Sequence, residues 1–180
     1  LKEQGLEAVV TREPGGTALG EKIRSLLLSP ENGPQTSTAE LLLYAAARAE
    51  LVHTVIQPAL TAGQLVIADR FNDSTWAYQV WGRGLDPTWA KKVLSGATGG
   101  LKPDLTLLFD LAPATSLSRT DRGDRLEQEN LDFFQRVRQG YLALAQEEPE
   151  RIRVIAAHRH VASIQTEVRA EVKALLSKTC

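Results

Sequence analysis

Two segments of the sequence place an arginine beside a carboxylate directly after an apolar run. They are 11–17, Thr-Arg-Glu-Pro-Gly-Gly-Thr, and 69–75, Asp-Arg-Phe-Asn-Asp-Ser-Thr. A carboxylate can bind Mg²⁺, directly or through water, and an arginine can hold a phosphate through two parallel hydrogen bonds. One such pair is usually a salt bridge of the surface or of the framework. Two pairs at equivalent positions indicate a site for a phosphorylated ligand and its metal ion.

A third cluster of charge covers 119–125, Arg-Thr-Asp-Arg-Gly-Asp-Arg. An isolated charge run of this kind is most often a solvated turn before a helix. This one also follows, by one helix length, the apolar run 105–109 and the Asp110 that comes directly after it. In phosphotransfer enzymes an arginine-rich lid over the donor phosphates supplies positive charge to the transition state and excludes water. On the residues alone, both interpretations are open.

Four apolar runs must position these groups, and they lie at 7–11, 65–68, 105–109 and 153–156. The runs are continuously apolar rather than alternating, and the spacers between them carry helical periodicity. This pattern predicts strands that are buried on both faces of a parallel α/β sheet. Ligands of such sheets bind beyond the carboxyl ends of the strands, where both arginine–carboxylate segments fall.

The predicted helices have recognisable ends. The capping-box sequence Ser-Thr-Ala-Glu at 37–40 opens a long apolar segment that stops at Gly63. Pro58 is expected to bend or end this helix early. Apolar residues at i, i+3 and i+4 spacing predict two further helices over 131–144 and 161–175. With no linker or repeat between these elements, the 180 residues are predicted to form one domain.

Composition narrows the function classes. The chain carries 21 basic and 22 acidic residues, a net charge of -1, which argues against a general binder of nucleic acid polymers. No apolar run approaches the roughly 18 residues of a membrane span, so no membrane partner is predicted. The single cysteine, Cys180, cannot form an intrachain disulfide, which is compatible with the cytoplasm. We expect a cytoplasmic protein that acts on a small anion.

Six segments, taken together and in order, resemble bacterial thymidylate kinases over nearly the whole chain. They are 11–17, 40–48, 69–79, 83–84, 102–106 and 124–129. The resemblance implies a three-layer parallel sheet of the P-loop nucleoside monophosphate kinase type with an arginine-rich lid. It implies Mg²⁺-dependent transfer of the γ-phosphate of ATP to dTMP in dTTP biosynthesis. It also implies a homodimer.

The resemblance assigns two residues to the thymine base and two to the phosphate of dTMP. Tyr44 occupies the position of the aromatic ring that stacks on thymine, and Arg48 that of the arginine that reads the base. These two are four residues apart on one helix, so they face the same way and can address one ligand. Without the resemblance, Tyr44 would be a core aromatic and Arg48 a surface charge. Arg70 matches the clamp on the dTMP phosphate, with Asp69 beside it near Mg²⁺.

The same resemblance assigns two further groups to the acceptor site and one to the lid. Residues that match the segment lining the acceptor site are Arg12, Glu13 and Pro14. Those that match contacts to the base and sugar are Thr75, Tyr78 and Gln79, with Tyr78 packing where a ribose 2′-hydroxyl would lie. The lid arginines, which the resemblance makes catalytic, are Arg119, Arg122 and Arg125.

One expected motif does not occur in this sequence. The family opens with a strand and a phosphate loop of the form G-x-x-x-x-G-K-[ST], and no such string is present. We therefore expect an N-terminally truncated chain, with 1–5 as the end of a helix that follows the loop. The alternatives are another nucleoside monophosphate kinase, or a relative that binds nucleotide or dimerises without catalysis.

The missing motif yields the first prediction. The chain as printed should not phosphorylate dTMP, because it has no loop lysine and no backbone cradle for the donor phosphates. The same chain preceded by the strand and phosphate loop should do so. ADP release from both proteins, measured with a coupled assay against a heat-killed control, tests this. Turnover by the printed chain would contradict it.

Overall fold

All four predicted strands are present and all are parallel to their partners. A computed structural model describes residues 7–119 and 123–179, so the predictions for 1–5 and for Arg122 lie outside the described residues. The strands are β1 (Ala8–Arg12), β2 (Leu65–Asp69), β3 (Thr106–Asp110) and β4 (Ile152–Ala156). They are hydrogen-bonded as two pairs, β1 with β2 and β3 with β4.

Helices connect and flank the strands, as expected for an α/β chain. They are α1 (Ala18–Leu28), α2 (Ser37–Leu51), α3 (Gln57–Thr61), α4 (Asn72–Thr75), α5 (Pro87–Thr98), α6 (Pro113–Leu117), α7 (Leu131–Glu147) and α8 (Val161–Thr179). The helices predicted over 131–144 and 161–175 are therefore confirmed. None of the described helices is both long and apolar enough to cross a lipid bilayer.

Two π-helical segments extend the regular helices. Val52–Ile56 joins α2 to α3, so the helix passes through Pro58 instead of ending there, and it stops before Gly63. Trp76–Gly82 continues α4, and the two together are called the 72–82 helix below. Single π-helical turns of this kind occur frequently at functional sites.

The start of α2 differs from the predicted capping box. The side chain of Thr36, not Ser37, accepts the hydrogen bond from the main-chain N–H of Ala39, at 3.3 Å. The carboxylate of Glu40 does not cap the helix. It is fully buried and binds side chains from other parts of the fold.

The strands are less buried than their apolar sequences predict. Each carries a large apolar side chain that is exposed, and these are Val10, Ile67, Phe109 and Val154. The prediction of burial on both faces is therefore wrong for the described chain. The physical reason is that the described helices do not cover every face of the two pairs.

The best-packed part of the core lies between helices. The ring of Phe133 on α7 packs edge-on against Tyr78 of the 72–82 helix, with centroids 6.0 Å apart. Phe133 also lies beside Ala77 and Val137 in one buried cluster. These contacts fix the 72–82 helix against α7, which leaves its other side to face α2.

Two helix glycines form a matched pair for the second prediction. A Cβ added at Gly140 of α7 would lie 2.6 to 2.8 Å from atoms of Trp81, whereas one added at Gly96 of α5 would meet nothing within 4 Å. Gly140→Ala should therefore destabilise the fold by about 1–3 kcal/mol through overpacking. Gly96→Ala should stabilise it by up to about 1 kcal/mol through helix propensity.

Urea unfolding of both variants and the wild type at one pH measures these changes. Equal free energies of unfolding for the two variants would show that α7 can move away from Trp81 without loss.

Candidate active site

The pairing of β1 with β2 brings the two arginine–carboxylate segments to one edge. Arg12 is in register with Asp69, and the main-chain N–H of Glu13 donates to the carbonyl oxygen of Asp69 at 2.9 Å. A groove of about 480 Å³ runs along this edge. Its lining residues are Val10, Thr11, Arg12, Gly16, Val55 and Asp69. The hydroxyl oxygen of Thr11 is buried there and has no hydrogen-bond partner within residues 7–119 and 123–177.

Side chains of α1 hold the loop after β1 in place through hydrogen bonds. The carboxylate of Glu21 accepts from the main-chain N–H of Gly16 at 3.0 Å and from Arg12 at 3.1 Å. The hydrogen bond from Gly16, followed by that from Arg12, lowers the pKa of Glu21. Arg24 donates to the carbonyl oxygen of Pro14 at 2.9 Å. Both side chains of the Arg12–Glu21 pair are about half exposed. Because exposed ion pairs contribute little to the stability of a fold, this pair serves mainly to orient the loop.

Arg48 is a buried residue of the core of this site. Its side chain is 1% exposed, so the surface-charge interpretation is excluded. Its Nε donates to Oε2 of Glu13 at 2.6 Å, and its Nη1 donates to the hydroxyl of Thr75 at 2.9 Å. Its guanidinium carbon also lies 5.4 Å from the ring centre of Phe71. Burial raises the pKa of Glu13, and Arg48 opposes that rise. Among the residues that the structure describes, the second carboxylate oxygen of Glu13 has no hydrogen-bond partner.

Glu40 is the second buried charge on the same helix. Its carboxylate accepts from Nε2 of Gln79 at 2.8 Å, from Nε of Arg83 at 3.1 Å and from Nη2 of Arg125 at 2.6 Å. Burial alone would raise the pKa of Glu40, but the hydrogen bonds from Arg83, Gln79 and Arg125 lower it below the ordinary value. Glu40 is therefore an ionised carboxylate inside the protein, held by two guanidinium groups and an amide.

These bonds define one surface between two helices. Its hydrogen-bonded members are Glu40 and Arg48 on α2, and Thr75, Gln79 and Arg83 on the 72–82 helix and just after it. We call this set the polar interface of α2. Tyr44 lies between the two charges on α2 and packs in a buried apolar cluster with Ile23 and Leu27 of α1, as expected of a core aromatic. Residues four apart on a helix lie on the same face, one turn from each other. The structure thus places the predicted base-site residues side by side.

Arg70 lies beside a group of tyrosines at the start of the 72–82 helix. Arg70 adopts a φ of 72°, which is uncommon for a residue other than glycine, and its guanidinium carbon lies 5.3 Å from the ring centre of Tyr78. Tyr78 is half-buried, whereas Tyr44 is buried, and burial raises the pKa of Tyr44. The hydroxyl of Tyr141 donates to Ser74 at 2.7 Å. Arg70 is exposed and keeps a face toward solvent.

The predicted lid arginines lie in different surroundings. Besides Glu40, Arg125 donates through Nε to the carbonyl oxygen of Leu27 at 2.9 Å, and its main-chain N–H donates to that of Leu28. It therefore ties the start of the 123–129 segment to the end of α1. Arg119 is exposed in the turn that follows α6.

Sequence reasoning missed two members of this site, Glu40 and Arg83. The capping-box pattern predicts that Glu40 caps α2, and the sequence indicates Arg83 only as part of a segment that resembles the family. A usable signal was the four-residue spacing of Glu40, Tyr44 and Arg48, which puts the glutamate on the same helix face as both predicted ligand contacts. Arg83 also pairs with Glu129 at 2.6 Å. Its role as a bridge between Glu40 and the 123–129 segment has no signal in the local sequence.

Comparisons with known proteins agree on one family. A family model described as Thymidylate kinase matches residues 1–168. A thymidylate kinase of Synechococcus sp. (strain JA-3-3Ab) is 57% identical, over 84% of this chain and 74% of that protein. One of Desulfovibrio desulfuricans is 46% identical, over 99% of this chain and 87% of that protein. A crystal structure of thymidylate kinase from Ehrlichia chaffeensis superposes with a TM-score of 0.77 at 31% identity, over 93% and 81% of the two chains.

The two ion pairs of the loop after β1 yield the third prediction. Arg48→Ala leaves the buried carboxylate of Glu13 unpaired, so it should lower the free energy of unfolding by about 3–5 kcal/mol. Arg12→Ala breaks an exposed pair with Glu21 and should change it by less than about 1 kcal/mol. Urea unfolding at pH 7 measures both changes.

A double variant, Glu13→Gln with Arg48→Met, serves as the matched control. It removes both charges together and should recover much of the loss. If Arg48→Ala proves as mild as Arg12→Ala, the buried pair does not stabilise the fold.

Proposed function

This chain belongs to the thymidylate kinase family, whose members are dTMP phosphotransferases, and from that premise we propose that the polar interface of α2 forms its dTMP site. The reaction is ATP + dTMP giving ADP + dTDP. The observation that carries the assignment is the direct contact between α2 and the 72–82 helix through Arg48, Thr75, Glu40 and Gln79. It gathers an aromatic ring and several hydrogen-bonding groups at one place.

The base-reading part of the proposal rests on Tyr44 and Arg48. Tyr44 lies one helical turn from both Glu40 and Arg48, so a base stacked on its ring lies within reach of both neighbours. Arg48 uses Nε, Nη1 and Nη2 on Glu13 and Thr75. A guanidinium has further N–H groups on Nη1 and Nη2, and these can donate to a carbonyl oxygen of the base. Glu13 thereby serves to hold Arg48 in position.

The sugar and phosphate lie on the Arg70 side of the site in this proposal. Arg70 is exposed beside the ring of Tyr78, and its fork of N–H groups suits a phosphate. Tyr78 packs against the sugar, where it excludes a 2′-hydroxyl by contact. Arg12 lines the groove that Asp69 borders, and Pro14 follows in the same loop, where Arg24 holds its carbonyl oxygen.

The carboxyl ends of β1 and β2 suit a Mg²⁺ ion that is held chiefly by the phosphates of the bound nucleotides. Among residues 7–119 and 123–177, no group of three or more His, Cys, Asp or Glu side chains is placed to hold a metal ion. Mg²⁺ bound with nucleotide phosphates commonly needs only one or two carboxylates from the protein. Asp69, at the carboxyl end of β2 beside the unpartnered hydroxyl of Thr11, is the residue that would hold it. When bound, the metal would neutralise charge on the phosphates.

Catalysis in this proposal comes from positioning and charge rather than from a covalent intermediate. Arg70 orients the acceptor phosphate. Arg119 and Arg122 supply positive charge to the phosphoryl group in transfer, while Arg125 holds the base of that segment through Glu40 and Leu27. From the family we also infer a single-domain, homodimeric, cytoplasmic enzyme.

The test of this function is the fourth prediction. Titration calorimetry should detect dTMP binding by the chain, and Arg70→Ala should weaken it by about 10- to 100-fold, because a hydrogen bond to a charged group is lost. Lys91→Ala, an exposed change on α5, is the control and should leave the affinity unchanged. In the protein that includes the phosphate loop, Arg70→Ala should also lower kcat.

Two results would count against the proposal. A wild-type protein that does not bind dTMP rules out the site altogether. An Arg70→Ala variant with wild-type dTMP affinity and kcat leaves Arg70 as a structural neighbour of Tyr78.

A further inference from the structure

The amide of Gln79 is anchored at one end by a charge. Its side chain is buried, and its Nε2 donates to Oε1 of Glu40 at 2.8 Å. Glu40 is itself completely buried and holds Arg83 and Arg125 through the same carboxylate. The Gln79 amide is therefore bonded to a carboxylate whose position is fixed by the guanidinium groups of Arg83 and Arg125.

The chemistry of Glu40 decides which way this amide points. An ionised carboxylate only accepts hydrogen bonds, whereas a protonated one can also donate. The hydrogen bonds from Arg83, Gln79 and Arg125 outweigh burial and lower the pKa of Glu40, so it is ionised at neutral pH. Only the NH₂ end of the Gln79 amide can then face Glu40. The carbonyl oxygen of Gln79 must face away from it.

The side away from Glu40 is the side assigned to the base. Thr75 lies one turn before Gln79 on the 72–82 helix and is bonded to Arg48, two turns after Glu40 on α2. Tyr44 lies between Glu40 and Arg48 on the same face. Gln79 thus lies at the Glu40 end of this face and Thr75 at the Arg48 end, and the carbonyl end of the Gln79 amide, turned from Glu40, is assigned here to the space beside Tyr44 and Arg48.

We propose that Glu40 is a specificity-determining positioning residue: it locks the Gln79 amide so that the site presents a hydrogen-bond acceptor to N3 of the base. This inference rests on the proposed dTMP site. Thymine carries a hydrogen on N3 and can donate to that acceptor. Cytosine carries a lone pair on N3, which would face the oxygen of Gln79 and be rejected. A site whose buried polar groups are left without hydrogen bonds by the wrong ligand rejects that ligand strongly.

The test compares the affinities of dTMP and dCMP in variants at Glu40. In Glu40→Gln the new amide can donate as well as accept, so the Gln79 amide is free to turn and present its NH₂ group. The ratio of dTMP to dCMP affinity, measured by calorimetry at pH 7.5, should fall by about tenfold. Arg48 is unchanged in every variant. Its contribution to the preference for dTMP over dCMP is therefore the same in all of them, and a change in the affinity ratio reports on Glu40 and Gln79.

A second variant exchanges the two groups, Glu40→Gln together with Gln79→Glu. It keeps one negative charge beside Arg83 and Arg125, which protects the fold if the single change does not tolerate the loss. The carboxylate introduced at position 79 only accepts hydrogen bonds, so the base again meets an acceptor. The dTMP preference should return close to the wild-type ratio.

A matched control separates selectivity from general damage. Asp73→Asn alters another buried carboxylate of the 72–82 helix, one bound by Arg151 at 2.8 Å rather than by Gln79. It should leave the ratio unchanged even if it lowers stability. If Glu40→Gln weakens dTMP and dCMP equally, or the exchanged variant folds without dTMP preference, Glu40 does not set the base choice. If the wild type binds neither nucleotide, the proposed dTMP site itself has failed.

Discussion

The burial of charge on α2 is the constraint on which the rest of the structure depends. Two charged side chains of this helix, Glu40 and Arg48, are almost completely inaccessible to water. Isolated charges cannot be buried without large loss of solvation, so each must find partners with good geometry. Those partners come from the loop after β1, from the 72–82 helix and the residue just after it, and from the 123–129 segment, and supplying them fixes where each of these segments lies.

The buried ion pairs between α2 and its neighbours supply hydrogen-bonding groups that a purely apolar interface would lack. Leucines in place of the two charges would hold α2 and the 72–82 helix together at least as well. They would offer nothing to a nucleotide. The ion pairs bring oriented N–H and C=O groups into a dry site, where each hydrogen bond to a ligand is stronger than in water. Within the described residues, a carboxylate oxygen of Glu13 and the hydroxyl oxygen of Thr11 are buried without a hydrogen-bond partner, and in the proposed site they would be available to a ligand.

Local signals predicted the elements well and the long-range contacts poorly. The four strands were recoverable because continuous apolar runs between helical spacers have few alternative structures. The helix start was placed one residue late, since Thr36 and Ser37 can both cap and the choice depends on the preceding chain. Burial on both faces of the strands was wrong because coverage depends on elements distant in sequence. The segments 40–48 and 69–79 assigned site residues through resemblance, and those roles stay predictions, whereas the partners of Glu40 came only from the fold.

The partners of the buried charges are far apart along the chain. Arg48 and Glu13 are separated by 35 positions, and Arg125 and Glu40 by 85. Until those long loops close, a collapsing chain would carry ionised groups into apolar surroundings without a counterion. Partly folded species should therefore leave α2 hydrated until its distant partners arrive. We expect the helix to dock late and all at once, and the chain to fold more slowly than a helical protein whose contacts are local.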